Sequence, residues 1–157
     1  MRTIDLDKEF SVGPSPRLED LEALRMRGFA AVVDLRIPGE LGALSVEHEK
    51  EAVESLGMTS LHLAVPARTL PSSLLDQFRR EVGLLPKPVY VHCSKGRRAA
   101  LFTIIHLGVE VDDAEEQILS RLRSLEFIED LEVYEEPIRI YVRRAEEPYD
   151  HLKEVIW

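Results

Sequence analysis

The sequence predicts an α/β fold with a mainly parallel central sheet flanked by helices. Short apolar runs rich in β-branched residues alternate with segments whose apolar residues recur at helical spacing. The run at 29–35 stays apolar as far as Asp34, as expected for a strand that is covered on both faces. Strands that alternate with helices along the chain build parallel sheets, so these observations give the fold class.

Five elements are predicted in the first half of the chain. In order, they are a strand at 9–13, a helix at 16–27, a strand at 29–35, a helix at 45–57 and a strand at 59–65. Ser15 and Pro16 read as the N-cap and the first residue of the first helix, and Gly28 ends it. Ser45 caps the second helix, and the last strand rests on alternating apolar and polar residues.

The second half continues this alternation and ends in helices. The predicted elements are a helix at 74–83, a strand at 88–92, a helix at 97–107 stopped by Gly108, a helix capped by Asp112 or Asp113, and a helical tail broken near Pro137 and Pro148. No linker or repeat appears, so we predict a single domain over 1–157 with 127–157 as a C-terminal helical extension. Several apolar residues of the tail could cover the core or pair subunits: Ile138, Ile140, Tyr141, Val142, Val155, Ile156 and Trp157.

Composition and charge limit the classes of function that this chain can have. The chain has 157 residues and a formal net charge of −9, which argues against a general nucleic-acid binder. We interpret the acidic runs at 47–54 and 110–136 as solvated helix faces. No apolar leader or membrane-spanning run is present, so we expect a cytoplasmic protein without a membrane partner. A single cysteine and the absence of paired histidine spacing predict neither a disulfide nor a metal site, and no cofactor is expected.

The only cysteine of the chain, Cys93, lies between a predicted strand and a predicted helix. Backbone N–H groups in such a loop can turn inward and form an anion site with the positive end of the helix dipole. The same field favours the reactive thiolate. Gly96 gives the loop its backbone freedom, and Arg98 offers a planar fork to two oxygens of a phosphate-like group. The predicted anion-binding residues are Ser94, Lys95, Gly96, Arg97 and Arg98.

The position of this site follows from the predicted sheet. Ligands of parallel sheets bind beyond the carboxyl ends of the strands. The strands that end near Leu35, Val65 and His92 each lead into a loop, and we expect these three loops to face one another.

Seven segments of the chain form a recognisable pattern. They are the His-Cys-Ser-Lys-Gly-Arg-Arg loop at 92–98 and the stretches 11–16, 18–21, 28–36, 39–40, 51–58 and 62–63. Together they resemble the small bacterial dual-specificity-phosphatase-like proteins of the cysteine-phosphatase superfamily, some of which occur joined to β-lactamase-like hydrolases. The likeness covers about residues 10–125, and its specificity rests chiefly on the loop at 92–98.

The resemblance implies a phosphatase mechanism. Cys93 would attack phosphorus to form a cysteinyl-phosphate intermediate, which water then hydrolyses. The amides of 94–98 and the Arg98 guanidinium would hold the phosphate oxygens, and His92 would support the loop. The substrate would be a phosphotyrosine-like or other phosphomonoester, carried by a small molecule or a phosphoprotein.

Three departures from the family pattern stand out. Four residues separate Cys93 from Arg98, where most of the superfamily has five, and Ala99 stands where a hydroxyl residue is common. The stretch 65–71 lacks the aspartate that usually serves as general acid, which predicts a slow enzyme. The possible substitutes for this acid are Asp34, Glu40 and Asp76.

Two alternatives remain open from the sequence. Residues 33–40 also resemble the Asp-x-Arg…Glu element of rhodanese-type sulfurtransferases, in which Cys93 would carry a persulfide, although the family's usual segment after the glutamate is missing. The loop could also belong to a non-catalytic phosphate-binding module. The residues do not specify the oligomeric state.

Overall fold

The computed structural model describes residues 1–125 and 127–146, except for the side chain of Glu146. Within this part of the chain, one sheet of five strands is present. Its strands are β1 (Ile4–Asp5), β2 (Phe10–Gly13), β3 (Ala31–Asp34), β4 (Thr59–His62) and β5 (Val89–His92). They are ordered β1-β2-β5-β3-β4, and every pair is parallel except β1 with β2. The predicted α/β class with a mainly parallel sheet is confirmed.

Strand β1 was not predicted from the sequence. It contains two residues, Ile4 and Asp5, which pair antiparallel with Val12 and Ser11. The hydroxyl of Ser11 donates a hydrogen bond of 2.6 Å to the Asp5 carboxylate. Two residues are too few to show a period-2 pattern, so this edge strand leaves no signal in the sequence.

The register of the sheet aligns the strand ends that matter for the site. Gly13 on β2 pairs with His92 on β5, His92 pairs with Asp34 on β3, and Asp34 pairs with His62 on β4. These four residues therefore form one row at the carboxyl edge. The loops that follow this row start side by side, as the sequence predicts.

Six helices lie in the described part of the chain. They are α1 (Leu18–Met26), α2 (Val46–Ser55), α3 (Ser72–Gly83), α4 (Arg97–Glu110), α5 (Glu115–Arg123) and α6 (Leu131–Glu146). The prediction that Ser15 and Pro16 start α1 is wrong. The N-cap is Arg17, whose amide donates to the Asp20 carboxylate at 2.8 Å. Ser15 is instead tied to the cysteine loop, because its amide donates to the Ser94 carbonyl at 3.2 Å.

Three predicted helix boundaries in the second half are also wrong. Helix α4 runs through Gly108 to Glu110, since this glycine faces the Ile118 side chain and leaves no room there for a Cβ atom. The N-cap of α5 is Ala114, whose amide donates to the Gln117 side chain at 2.7 Å, so neither Asp112 nor Asp113 caps it. Pro137 lies inside α6.

Ion pairs join α5 to the part of α6 that follows its proline. Arg139 and Arg143 on α6 both bind Glu115, with N–O distances of 3.3 and 3.0 Å, and Arg139 also pairs with Glu116. A proline in a helix removes one backbone hydrogen bond. These pairs follow the proline in the chain and hold the second half of α6. The predicted break near Pro148 lies outside the described residues, as do Val155, Ile156 and Trp157.

The chain divides into two compact units between Thr103 and Ile104, inside α4. The first unit holds the sheet and helices α1 to α3. The prediction of a single domain over 1–157 with 127–157 as its extension stays a prediction. No helix in the described ranges has both the length and the apolar character needed to cross a bilayer.

The core of the first unit contains side chains from α1, α2 and the sheet. Its fully buried members are Leu21, Leu24, Phe29, Val32, Val53, Met58 and Tyr90. An aromatic contact joins α3 to α4. The rings of Phe78 and Phe102 meet edge to face, with their centroids 5.6 Å apart. These contacts fix the strands whose ends carry the site.

We expect Leu24→Ala to lower the free energy of unfolding by about 3 kcal/mol, because it removes a fully buried side chain and leaves a cavity. Met26 on the same helix is 89% exposed, so Met26→Ala serves as the matched control and should stay within about 0.5 kcal/mol of the original protein. Denaturant unfolding of both variants checks this. Equal losses in the two variants would show that α1 does not depend on this core.

Candidate active site

Cys93 directly follows β5, and four residues, 93–96, lead from the strand into α4. Its side chain is buried, and the Gly96 amide donates a hydrogen bond of 3.2 Å to the sulfur. Gly96 has a φ of +98°, and a Cβ atom there would lie 3.2 Å from the carbonyl carbon of Gly13. The loop therefore needs glycine at this position for both its conformation and its packing.

The loop is also held from the end of β2. The Tyr90 hydroxyl donates a hydrogen bond of 2.6 Å to the Pro14 carbonyl, and the Ser15 amide donates to Ser94. Burial raises the pKa of Tyr90, and the nearby Cys93 adds to this, so the hydroxyl stays protonated as a donor. The segment after β2 thus closes one side of the cysteine loop.

Arg98, the second residue of α4, reaches across to the loops after β3 and β4. Its Nη1 donates to Glu40 Oε2 at 2.8 Å and to the Val65 carbonyl at 2.7 Å, and its Nη2 donates to Glu40 Oε1 at 2.6 Å. The hydrogen bond with Glu40 raises the pKa of Arg98, and Cys93 adds to this. A guanidinium has five N–H donors, so these contacts leave Nε–H and one Nη2–H for another partner.

Glu40 is fixed by four hydrogen bonds. Besides the two from Arg98, it accepts one from the Ile37 amide at 2.7 Å and one from the Ser94 hydroxyl at 2.8 Å. The Arg98 hydrogen bonds are the main reason that the pKa of Glu40 falls to about 2. The carboxylate is therefore ionised and braces both the arginine and the cysteine loop.

A second arginine, Arg36, lies fully buried beneath the site. Its Nε and Nη2 bind both oxygens of Asp34, at 3.0 and 2.8 Å, and Nη2 also reaches Glu49 at 3.3 Å. Burial opposes ionisation of Asp34, but the hydrogen bonds from Arg36 and the nearby His92 outweigh it and lower the pKa of Asp34. Arg36 Nη1 donates to the Leu44 carbonyl at 2.8 Å, which ties the loop after β3 to this cluster.

His92 connects this buried cluster to the cysteine. Its Nε2 lies 2.7 Å from Glu49 Oε2, and its Nδ1 lies 3.3 Å from the carbonyl oxygen of Cys93. Asp34, Glu49 and His92 are close enough together to share a cation. The guanidinium of Arg36 binds both carboxylates, and it is the cation that they share.

Most of the predicted site residues meet at the carboxyl edge. Ser94 and Arg98 bind Glu40 there, Gly96 donates to Cys93 in the same loop, and Asp34 and His92 belong to the buried cluster around Arg36. Of the other predicted loop residues, Lys95 is exposed and Arg97 is half-buried. Asp76 lies exposed on α3.

Glu49 was missed as a site residue. The prediction that the acidic run 47–54 is a solvated helix face is wrong at this position, because Glu49 is only 2% exposed. Val46, Glu49 and Val53 share one helical face by their spacing, and the fully buried Val53 marks that face as the inner one. This spacing was the signal that could have identified Glu49.

A family model matches most of this chain. A family model described as DSP-PTPase phosphatase fused to NAD⁺ kinase matches residues 1–121. No curated protein sequence gives a significant match.

Three solved structures share the fold. Tk-PTP in its active form is 22% identical and has a TM-score of 0.73, and the match covers 93% of this chain and 97% of that one. The core catalytic domain of the PP-IP phosphatase SIW14 from S. cerevisiae is 17% identical with a TM-score of 0.73, over 98% and 89% of the two chains. TpbA of P. aeruginosa is 15% identical with a TM-score of 0.69, over 90% and 83%.

We expect the ion pair between Glu40 and Arg98 to make stability depend on acid pH. Folding lowers the pKa of Glu40 from 4.5 to about 2, so its contribution is present above pH 4.5 and is lost as the pH falls toward 2. The stability difference between the original protein and Glu40→Gln should therefore be constant above pH 4.5 and vanish near pH 2. The pKa of Asp34 is also lowered, but Asp34 contributes equally to the stability of both proteins, so its contribution cancels from the difference.

Denaturant unfolding at a series of pH values measures this difference. Glu54→Gln changes an exposed carboxylate of α2 by the same charge and is the control. A difference between the original protein and Glu40→Gln that does not change from neutral pH to pH 2 would contradict the assigned ion pair.

Proposed function

This chain belongs to the family described as DSP-PTPase phosphatase fused to NAD⁺ kinase, and from that premise we propose that it hydrolyses phosphomonoesters through a phosphorylated Cys93. One observation carries the proposal. The Cys93 sulfur accepts the Gly96 amide in a loop that leads into a helix, and Arg98 lies beside this sulfur with Nε–H and one Nη2–H that neither Glu40 nor Val65 engages.

The Arg98 donors that do not bind Glu40 or Val65 suit a phosphate group. Glu40 occupies the edge formed by the two terminal nitrogens, so the remaining Nε–H and Nη2–H point along the other edge of the same plane. Two parallel donors bind two oxygens of a tetrahedral anion. The amides of the loop and the N-terminus of α4 would bind the remaining oxygens.

The proposed reaction has two displacements at phosphorus. In the first, an electron pair of the Cys93 thiolate forms the S–P bond while the P–O bond of the ester breaks, and its electron pair leaves with the oxygen. In the second, water attacks phosphorus, the S–P bond breaks, and its electron pair returns to sulfur. Inorganic phosphate is released, and a proton from the water passes to solvent or to the product.

The proposed mechanism lacks an obvious proton donor for the leaving oxygen. Four loops follow the carboxyl ends of the parallel strands, at 14–17, 35–45, 63–71 and 93–96, and Glu40 is the only carboxylate in them. Glu40 is held ionised by Arg98, and Asp34 is held by Arg36, so neither is suited to donate a proton. We therefore infer that the leaving oxygen departs with its charge unless Asp76 supplies the proton.

His92 acts in this proposal as a support rather than as a proton carrier. It is fully buried, and its Nε2 is engaged by Glu49. Ala99 has no hydroxyl that could assist the departing thiolate.

The substrate is a phosphorylated small molecule or a phosphoprotein. A reducing compartment such as the cytoplasm would keep the Cys93 thiol free of disulfide bonds.

We expect Cys93→Ser to lower phosphatase turnover by at least about 10³-fold, because a hydroxyl is a far weaker nucleophile than a thiolate. Binding of inorganic phosphate should persist, since the amides and Arg98 remain. Hydrolysis of p-nitrophenyl phosphate and titration calorimetry with inorganic phosphate measure the two effects.

Three results would overturn the proposal. Turnover that survives in Cys93→Ser would remove the nucleophile from the mechanism. Binding without turnover in the original protein would indicate a non-catalytic phosphate-binding module. Transfer of sulfur from thiosulfate to cyanide, without phosphate release, would assign the rhodanese-type activity.

We further expect kcat/KM to depend steeply on how readily the leaving group departs. Because general acids contribute about 10²- to 10⁴-fold, kcat/KM should fall by about that factor from an aryl phosphate with a good leaving group to an alkyl phosphate of equal charge. A series of phenyl and alkyl phosphates measures this slope, and Asp76→Asn is the matched variant. A shallow slope that becomes steep in Asp76→Asn would instead identify Asp76 as the proton donor.

A further inference from the structure

The cluster beneath the cysteine loop holds more negative than positive fixed charge. Asp34 and Glu49 each contribute a carboxylate, and Arg36 contributes one positive charge. All three side chains are almost completely buried, between 0 and 4% exposed. An unbalanced charge is costly in such an environment, so the cluster needs one further proton, on His92 or on a carboxylate. Imidazole is ordinarily a stronger base than a carboxylate, so the proton belongs on His92.

His92 is the group in contact with this cluster that can supply the charge. Nε2 faces a carboxylate oxygen of Glu49 at 2.7 Å, and Nδ1 faces the Cys93 carbonyl oxygen at 3.3 Å, with Asp34 Oδ1 at 3.9 Å. Carbonyl and carboxylate oxygens only accept hydrogen bonds. Both ring nitrogens therefore face acceptors, and a ring that carries two protons satisfies both.

The titratable groups that face His92 belong to the cluster itself, to β5 and to the residue that follows β5. Asp34 faces it from β3, Arg36 from the segment after β3, and Glu49 from α2. On β5 itself, the ring of Tyr90 stacks on His92 with centroids 5.8 Å apart, and Cys93 follows it in the chain. Arg36 is already held by both carboxylates, which leaves Glu49 Oε2 directed to the imidazole.

We propose that Glu49 is a positioning residue that holds His92 as an imidazolium and thereby fixes the start of the cysteine loop and favours the thiolate of Cys93. The effect on catalysis rests on the function proposed above. The charge state of His92 and the reactivity of Cys93 toward an alkylating reagent do not, so they can be measured even if the phosphatase proposal fails.

Two chemical consequences follow from the imidazolium. Its Nδ1–H donates to the Cys93 carbonyl and fixes the peptide from which the loop turns away. His92 directly precedes Cys93 in the chain, so its positive charge acts together with the Gly96 amide to favour the thiolate. Glu49 never needs to touch substrate for either effect.

The test combines nitrogen NMR of the ring with thiol reactivity. In histidine-labelled protein at neutral pH, both ring nitrogens of His92 should show the shifts of protonated nitrogens, with the signals assigned through their loss in His92→Asn. In Glu49→Gln, one of these nitrogens should lose its proton. The rate of Cys93 alkylation by iodoacetamide at the same pH should fall about tenfold, as expected for the loss of one nearby charge.

Glu51→Gln is the matched control, because it makes the same change at an exposed position of α2. It should leave both readouts unchanged. Glu49→Asp retains the charge and should restore part of the alkylation rate, which a role in packing alone would not produce.

The proposal is overturned if His92 is neutral in the original protein at neutral pH. It is also overturned if folded Glu49→Gln is alkylated at the original rate. Where Glu49→Gln does not fold, the nitrogen shifts of the original protein decide the question. Normal shifts and reactivity without phosphate ester hydrolysis would refute the phosphatase function and leave the role of Glu49 intact.

Discussion

The buried guanidinium of Arg36 is the interaction on which the geometry of the site depends. It joins the end of β3 through Asp34, the loop after β3 through the Leu44 carbonyl, and α2 through Glu49. A buried ion cluster of this kind adds little stability over well-packed apolar side chains, because desolvation offsets the attraction between charges. Its contribution is directional, since each hydrogen bond fixes one element relative to the carboxyl edge of the sheet.

Two arginines divide the work at this edge. Arg36 is enclosed by Asp34 and Glu49 and supports the site from inside, whereas Arg98 binds Glu40 through one edge of its guanidinium and lies beside Cys93. The segment 36–49 supplies a partner to both, because Glu40 binds Arg98 and Glu49 binds Arg36. The loop after β3 and the helix that follows it are therefore as much part of the site as the cysteine loop.

The sequence predicted the sheet and the cysteine loop because both depend on local patterns. Strands buried on both faces are continuous apolar runs, and the loop between β5 and α4 is a short contiguous motif. The misassigned features depend on contacts between distant residues. Ser15 binds the Ser94 carbonyl instead of capping a helix, Gly108 admits Ile118, and Glu49 is buried only because Arg36 and His92 meet it. Intrinsic propensity does not encode such partners.

The hydrogen bonds of Glu40 explain why this residue is unsuited to protonate the leaving oxygen of the proposed reaction. A carboxylate can hold both terminal nitrogens of Arg98 only while it is ionised, and a protonated acid would lose one of those acceptor oxygens. Bracing the arginine and donating a proton are therefore incompatible roles for the same group in one step. The carboxyl edge carries this single loop carboxylate, and the structure uses it to orient Arg98. Glu40 thus orients the arginine proposed to bind the phosphate, and it does not protonate the leaving group.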